Sequence, residues 1–503
     1  MKKTAGVCIL AGAGPGDLGL VTLRTRECIE KADVIIYDHL CNPEILQWAR
    51  ADAEIIYAGK QAAAHTLSQQ EINALLVEKT AAGKYLVRLK GGDPFLFGRG
   101  GEEAEALAGA RLAFEIVPGV SSAIAAPAYA GIPVTHRGHN SQLTIFTGHE
   151  DPSKPETSLD YAKLAQQPGT KVMLMGVERI GQIADAFMAN GADPATKVAL
   201  VRWGTTARQQ TIRGELRNIA QMVAESQFTA PAVAIFGDVV GLRDKLNWFE
   251  SRPLFGKRVV VTRTRKQAGV FSAGLRALGA DVMEVPTIRI EPATNLMEFG
   301  ALVQDSHSYD WIVFTSPNGV HAFFEMFFKL YDDAREIGGV RIAAIGPATA
   351  QRVRDFHLKV DVQPEEFVAE AILRQLQKAG SIENERILIV RAEITRDVLA
   401  PALMRMGAIV DEAIAYRTVS ETGDRSGAAA RFEKEGADLI TFTSSSTVEN
   451  FMALNLPMPV GMKTASIGPI TSKTMRELGL AVDIEARQHD IPGLLAGIRA
   501  FYG

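Results

Sequence analysis

Cysteine is nearly absent: Cys8, Cys28 and Cys41 are the only three in 503 residues, with no pair at metal-ligand spacing. That excludes a disulfide framework and a cysteine-held zinc site, fits a reducing cytoplasm, and leaves the thiols as small apolar fillers. An excess of positive charge is also lacking. The formal net charge is −4, whereas nucleic-acid binders are usually basic, so no nucleic-acid partner is expected. Long apolar runs are missing too. The longest charge-free stretch, Ile116–Val134, contains Pro118, Pro127 and Pro133, a poor design for a spanning helix. Met1-Lys-Lys precedes an apolar run too short for a signal peptide and interrupted by Gly12-Ala-Gly-Pro-Gly-Asp17, so no membrane segment is expected.

What is present is an ordinary globular balance, 47% hydrophobic and 22% charged, in a chain too long for a single core; two to four domains are expected. The most informative stretch is Arg88-Leu-Lys-Gly-Gly-Asp-Pro-Phe-Leu-Phe-Gly-Arg-Gly-Gly-Glu-Glu103. It follows the strand-like Tyr85–Lys90 and precedes a Glu- and Ala-rich helical pattern. Glycines at a strand's carboxyl end let backbone approach a ligand, and open α/β sheets bind ligands at that edge. An acidic residue there suits a ribose hydroxyl, and the basic flanks suit a polyanion.

Strand, glycine turn and helix alternate throughout the first half: Val7–Leu10, Ala32–Asp38, Ile55–Tyr57, Tyr85–Lys90 and Phe114–Val117 read as strands, and Ser68–Lys79 as an amphipathic helix. The pattern restarts after Gly131-Ile-Pro-Val-Thr-His-Arg137 with Leu143–Thr147, Lys171–Met175, Val198–Trp203 and Pro231–Phe236. This is the signature of α/β lobes, about 1–135 and 136–245, with a cleft between them. A linker is expected at 246–256. Beyond it the chain repeats: Arg258-Val-Val-Val-Thr-Arg263, Leu278-Gly-Ala-Asp-Val282 and Asp310-Trp-Ile-Val-Phe-Thr-Ser316 recur at an offset of 128 as Arg386–Arg391, Met406–Val410 and Asp438–Ser444. Ile345-Gly-Pro-Ala-Thr-Ala350 returns as Ile467–Ser472 after a shorter loop. The repeat implies two similar lobes. If the extended runs Val282–Glu291 and Val410–Ser420 cross between them, lobe one is about 257–288 plus 420–503 and lobe two about 292–415.

On Ala11–Asp17, Ala32–Asp38, Arg88–Glu103, Val117-Pro-Gly-Val-Ser-Ser122, Gly131–Arg137, Met175-Gly176 and Gly204-Thr205, residues 5 to about 245 resemble uroporphyrinogen-III C-methyltransferase, of the S-adenosylmethionine-dependent tetrapyrrole methylases. The resemblance implies that Pro15, Gly91, Gly92, Asp93, Leu96, Ser121, Ser122, Met175, Gly204 and Ala232 line the S-adenosylmethionine site. It places Asp38 and Lys60 at the family's proton acceptor and donor. Relatives often have Tyr-Met-Gly where this chain has Leu174-Met-Gly176, and Trp203 stands beside Gly204. From the residues alone, Asp38 reads equally as a cap after a strand, and Lys60 as a solvated turn lysine or a carboxylate anchor. Arg88, Lys90, Arg99, His136 and Arg137 are further candidates for the substrate's carboxylates.

Residues 256–503 resemble uroporphyrinogen-III synthase on Val259–Arg263, Val313-Phe-Thr-Ser-Pro-Asn-Gly-Val320, Ile345–Ala350, Ala415-Tyr-Arg-Thr-Val419, Phe442–Ser446 and Ile467–Thr471. The resemblance implies a two-lobe fold that closes hydroxymethylbilane with inversion of one ring and loss of water. Tyr416 matches the residue assisting hydroxyl departure and Thr471 a nearby polar contact; Tyr416 also reads as a packing residue between lobes. The expectation is an α/β bifunctional cytoplasmic enzyme without metal, a homodimer through its first half. It makes uroporphyrinogen III, then methylates it at C2 and C7 to precorrin-2, on the way to cobalamin or sirohaem. The alternative is a methylase for a later corrin intermediate, with a second half that binds tetrapyrrole without turnover. A redox dinucleotide protein is disfavoured, since Gly12-Ala-Gly-Pro-Gly lacks the third glycine at the required spacing.

Overall fold

The computed structural model describes residues 6–59, 67–149, 157–262, 265–285, 287–364, 369–394, 398–420 and 427–503. They form four five-stranded sheets flanked by helices. In the first, Glu54–Tyr57, Val34–Tyr37, Tyr85–Lys90, Val7–Gly12 and Ala113–Val117 lie side by side, all parallel. Parallel strands are covered on both faces; hence Cys8, Leu10, Ile35 and Val87 are all wholly buried. Cys28 and Cys41 are buried too, and none of the three is in a disulfide. Burial pushes the Cys8 thiol up to about 12, so it stays protonated.

The second sheet orders Leu143–Thr147, Thr170–Leu174, Ala232–Phe236, Lys197–Arg202 and Gln210–Glu215. Ala232–Phe236 runs antiparallel to both neighbours. The carboxyl ends of Thr170–Leu174 and Lys197–Arg202 therefore share an edge with Ala232. Trp203, expected to end its strand, instead leaves it with φ +48.

The third sheet runs Asp281–Glu284, Arg258–Val261, Leu439–Phe442, Lys463–Ser466, Ile484–Glu485. The fourth runs Ile288–Pro292, Ile409–Ser420, Arg386–Ala392, Trp311–Phe314, Arg341–Ala344. Each sheet thus mixes the two sequence repeats. Arg258–Val261 of the first repeat pairs with Leu439–Phe442 of the second, and Trp311–Phe314 with Arg386–Ala392. Matching carboxylates seal both swaps. Asp438 Oδ2 accepts from the Arg258 amide at 2.7 Å and Asp310 Oδ2 from the Arg386 amide at 2.8 Å. The run from Asp281 to Pro292 is divided between the two sheets. Ile409–Ser420, expected to cross as well, stays in the fourth sheet over its whole length; residues 421–426 lie outside the described residues.

The segment expected to be a linker is ordered. Phe249 is buried against Tyr129, and Leu254 is buried in the core of the third sheet. A second tie between the halves joins Glu44, in the short helix Pro43–Trp48, to Arg276. Burial, with the carboxylates of Glu284 and Asp281 nearby, pushes the Glu44 carboxyl up to about 7 against the pull of Arg276 and Arg431. A raised carboxyl favours folding while protonated, and that contribution fades as pH climbs from the unfolded value near 4.5 towards 7. Glu44→Gln should therefore flatten the fall in unfolding temperature between pH 5 and 7.5, a comparison read by thermal denaturation.

Candidate active sites

Three loops of the first sheet emerge at its carboxyl edge and pack backbone to backbone. Gly92 exchanges hydrogen bonds with Gly14, donating at 2.7 Å and accepting at 3.3 Å. A Cβ on Gly12 would fall 2.5 Å from Gly119 Cα and 2.6 Å from Gly92 O. One on Gly119 would fall 2.2 Å from Gly92 O. Only glycine lets these strands' ends close into one cradle. Gly92 itself has φ +69 and sits 3.7 Å, measured from a built Cβ, from Ser121 and Ser122. Asp93 braces the floor: Oδ1 accepts from the Phe95 and Leu96 amides at 2.8 and 3.1 Å, and Oδ2 from Gly119 at 2.9 Å. The carboxylate read as a ribose partner is thus first a clamp that ties its own loop to the one after Ala113–Val117. Ser121 caps the helix Ser122–Tyr129.

The second sheet's edge closes over this cradle. Met175, Trp203 and Thr205 all have positive φ (+57, +48 and +70), strain of the kind that persists at functional loops. Met175 leaves half its surface exposed, 51%. Gly204 abuts the helix Ser122–Tyr129, where a Cβ would lie 2.4 Å from Ala126 Cβ. The Asp17 amide donates to Thr205 Oγ1 at 3.1 Å, and Tyr129 OH to Asp17 Oδ2 at 2.8 Å. Leu96 packs on the core beneath the second sheet. Pro15, Gly91, Gly92, Asp93, Leu96, Ser121 and Ser122 therefore stand at one edge, and Met175, Gly204 and Ala232 at the facing one.

Asp38 lies at the same first edge. Its Oδ1 accepts from the Leu40 amide at 3.0 Å and its Oδ2 from Arg88 at 3.4 Å. Leu40 in turn abuts Gly91, whose Cβ would stand 2.6 Å from Leu40 Cβ. Lys60 lies outside the described residues.

The basic flank departs from expectation. Arg88 and Lys90, read as contacts for substrate carboxylates, are 3% and 4% exposed and share Glu103 Oε1, at 3.2 and 2.8 Å. Glu103 is wholly buried and also accepts from Gln69; its Oε2 has no hydrogen-bond partner among the described residues. Burial, helped by the Arg88 charge, holds Lys90 below the usual lysine range. Sequence inspection missed Glu103 as a counter-ion, although its place in the first turn of Gly100–Gly109 beside an Arg-x-Lys strand was a usable signal. Glu103→Gln should cost about 3–5 kcal/mol in chemical denaturation, because it strands buried cations. Arg99 is exposed and forks onto Glu102 at 2.7–2.8 Å, while His136 and Arg137 are exposed.

In the second half, Tyr416 is buried in the core of the fourth sheet, with its hydroxyl 2.9 Å from Ser316 Oγ. Ser316 caps the helix Pro317–Leu330, accepting from Gly319 at 3.1 Å. Thr471 is buried near the start of Pro469–Glu477, which comes after a strand of the third sheet. Tyr416 and Thr471 thus belong to different lobes. Ser444 caps Ser445–Ala453 as Ser316 caps its own helix. Helix starts at strand ends of both lobes offer amides to anions.

A glycine cradle closed by a second lobe, followed by two strand-exchanged lobes, defines an α/β protein of two two-lobed halves. Residues 7–220 match the family model of tetrapyrrole (corrin/porphyrin) methylases and residues 269–496 that of uroporphyrinogen-III synthase HemD. The porphyrin biosynthesis protein HemD of Ruminiclostridium josui is 36% identical over 478 residues, covering 94% of each chain. The uroporphyrinogen-III C-methyltransferase of Bacillus subtilis is 39% identical over 72% of this chain and 74% of its own. The S-adenosyl-L-methionine-dependent uroporphyrinogen III methyltransferase of Methanosarcina barkeri is 51% identical over 49% of this chain and 96% of its own. The chain belongs to the fused family in which a tetrapyrrole methylase precedes a uroporphyrinogen-III synthase.

Proposed function

We propose that the second half converts hydroxymethylbilane to uroporphyrinogen III and that the first half methylates this product at C2 and C7 to precorrin-2. The observation that carries the methylase reading is the cradle of Gly12, Gly92 and Gly119, facing Met175 and Gly204 with Asp38 at its rim. Its glycine floor, exposed thioether and apolar Leu96 suit S-adenosylmethionine, which supplies an already activated methyl group. The protein's task is alignment in a dry pocket. Pro15, Gly91, Gly92, Asp93, Leu96, Ser121, Ser122, Met175, Gly204 and Ala232 line that pocket in this reading. Transfer of the methyl from the sulfonium to a pyrrole carbon would break the methyl–sulfur bond, release S-adenosylhomocysteine and leave the pyrrole a cationic iminium. In this reading Asp38 takes the proton whose loss restores the neutral ring. Arg88 holds one Asp38 oxygen and the Leu40 amide the other, so the acceptor is fixed in place.

In the second half the hydroxyl of hydroxymethylbilane leaves as water, with a proton from the Tyr416–Ser316 hydroxyl pair. A substituted pyrrole carbon then attacks the resulting azafulvene cation to give a spiro intermediate. Its bond to the neighbouring methylene breaks, and the new cation recloses on the ring's free carbon with that ring inverted. Loss of a proton restores the neutral pyrrole and reprotonates the hydroxyl pair. Unguided closure gives the wrong isomer, so holding the chain's carboxylates decides the outcome; Thr471 and the helix starts at Ser316 and Ser444 serve that end. Among the described residues no helix is long and apolar enough to cross a membrane, and no cluster of three or more metal-ligating side chains occurs. Whole protein given hydroxymethylbilane alone should yield the type III isomer, read by chromatography of the oxidised product. Type I alone would overturn the synthase assignment.

A further inference from the structure

The loop Trp203-Gly-Thr205 carries two non-glycine residues in the left-handed region, so something outside it must hold it. Thr205 is 3% exposed, and its amide donates to Gln209 Oε1 at 2.9 Å. That bond decides the orientation of the Gln209 amide group, whose nitrogen must then find an acceptor of its own. It donates to Glu250 Oε1 at 2.8 Å. Thr211 Oγ1 donates to the same oxygen at 2.7 Å. Glu250 Oε2 is paired with buried Arg243, which also donates to Ala130 O at the end of the helix Ser122–Tyr129.

A second path closes the circuit. Thr205 Oγ1 accepts from Asp17, Asp17 accepts from Tyr129, and the Tyr129 ring meets Trp248 and Phe249 edge-on at 5.0 and 4.7 Å. Both paths end in residues 248–250, in the joint between the two halves. The joint is itself anchored, because Leu254 four residues later is wholly buried in the core of the synthase half.

We propose that Glu250 is a positioning residue of the methyl-transfer site: through Gln209 it sets the Trp203–Thr205 loop, and with it Gly204, against the cofactor cradle. The residue lies beyond the 7–220 span that matches the methylase family model. This rests on the reading that Gly204 lines the S-adenosylmethionine pocket. The joint is then part of the methylase and more than a tether.

The test uses full-length Glu250→Ala, Gln209→Ala and the double variant. S-adenosylhomocysteine binding is measured by calorimetry, methyl transfer by KM and kcat, and uroporphyrinogen III formation as a check on folding. Each single change should weaken S-adenosylhomocysteine binding and raise KM for S-adenosylmethionine about tenfold, the size of one lost hydrogen bond to a charged group. The synthase rate should hold. The double variant should be no worse than the poorer single one, since both interrupt one chain. Unchanged affinity in both singles, additive losses, or a loss of kcat with KM intact would overturn the proposal. An unaltered chain that binds no S-adenosylhomocysteine would bring down the proposed function itself, and this inference with it.

Discussion

Gly119→Ala should abolish S-adenosylhomocysteine binding, lowering affinity at least about 100-fold, with methyl transfer lost in step. The added methyl would stand 2.2 Å from Gly92 O and 2.7 Å from Gly12 Cα. Both are backbone atoms of strand ends held in a parallel sheet, so no side-chain rotation relieves the overlap. Gly119 does not adopt positive φ; the penalty is one of space, not of backbone conformation. The loops must part, and the bond from the Gly119 amide to Asp93 goes with them. Gly109→Ala supplies the contrast. A Cβ there meets nothing within 4 Å, and the residue ends the helix Gly100–Gly109, so binding should stay unchanged with stability equal or slightly higher. Calorimetry on the two variants separates a cradle that needs bare backbone from general sensitivity to alanine.

Asp38→Asn should slow methyl transfer by about 10²–10⁴-fold, the range for loss of a positioned acid or base, while S-adenosylhomocysteine binding and uroporphyrinogen III formation persist. Asparagine keeps the oxygen that accepts from the Leu40 amide and so preserves the turn after Val34–Tyr37. It removes the carboxylate that would take the proton. The variant thereby separates the two roles the residue could play. A normal turnover rate with a lower unfolding temperature would make Asp38 a cap and send the proton elsewhere.

The alternation of strands and glycine loops was legible because parallel strands are apolar throughout and their carboxyl-end loops are glycine-rich. Tyr85–Lys90 and its glycines show how far that goes, and also where it stops. Arg88 and Lys90 are two residues apart, hence on one face of a strand, and charge alone made that face look wet. The strand is central and covered on both sides, so the cations are buried and need Glu103, which reaches them from the helix Gly100–Gly109. The 128-residue repeat was equally plain in Asp310 and Asp438. Which strands exchange is decided by pairing, and pairing between Arg258–Val261 and Leu439–Phe442 spans 180 residues of chain. The Gln209–Glu250 bond, 41 residues apart, left no local pattern at all, and the joint read as a linker because it carries no apolar period.

The most direct test gives the whole protein hydroxymethylbilane and S-adenosylmethionine together and identifies the product by mass and isomer. Two added methyl groups on the type III skeleton, the composition of precorrin-2, are the predicted result. Unmethylated uroporphyrinogen, or a type I product, would contradict the account.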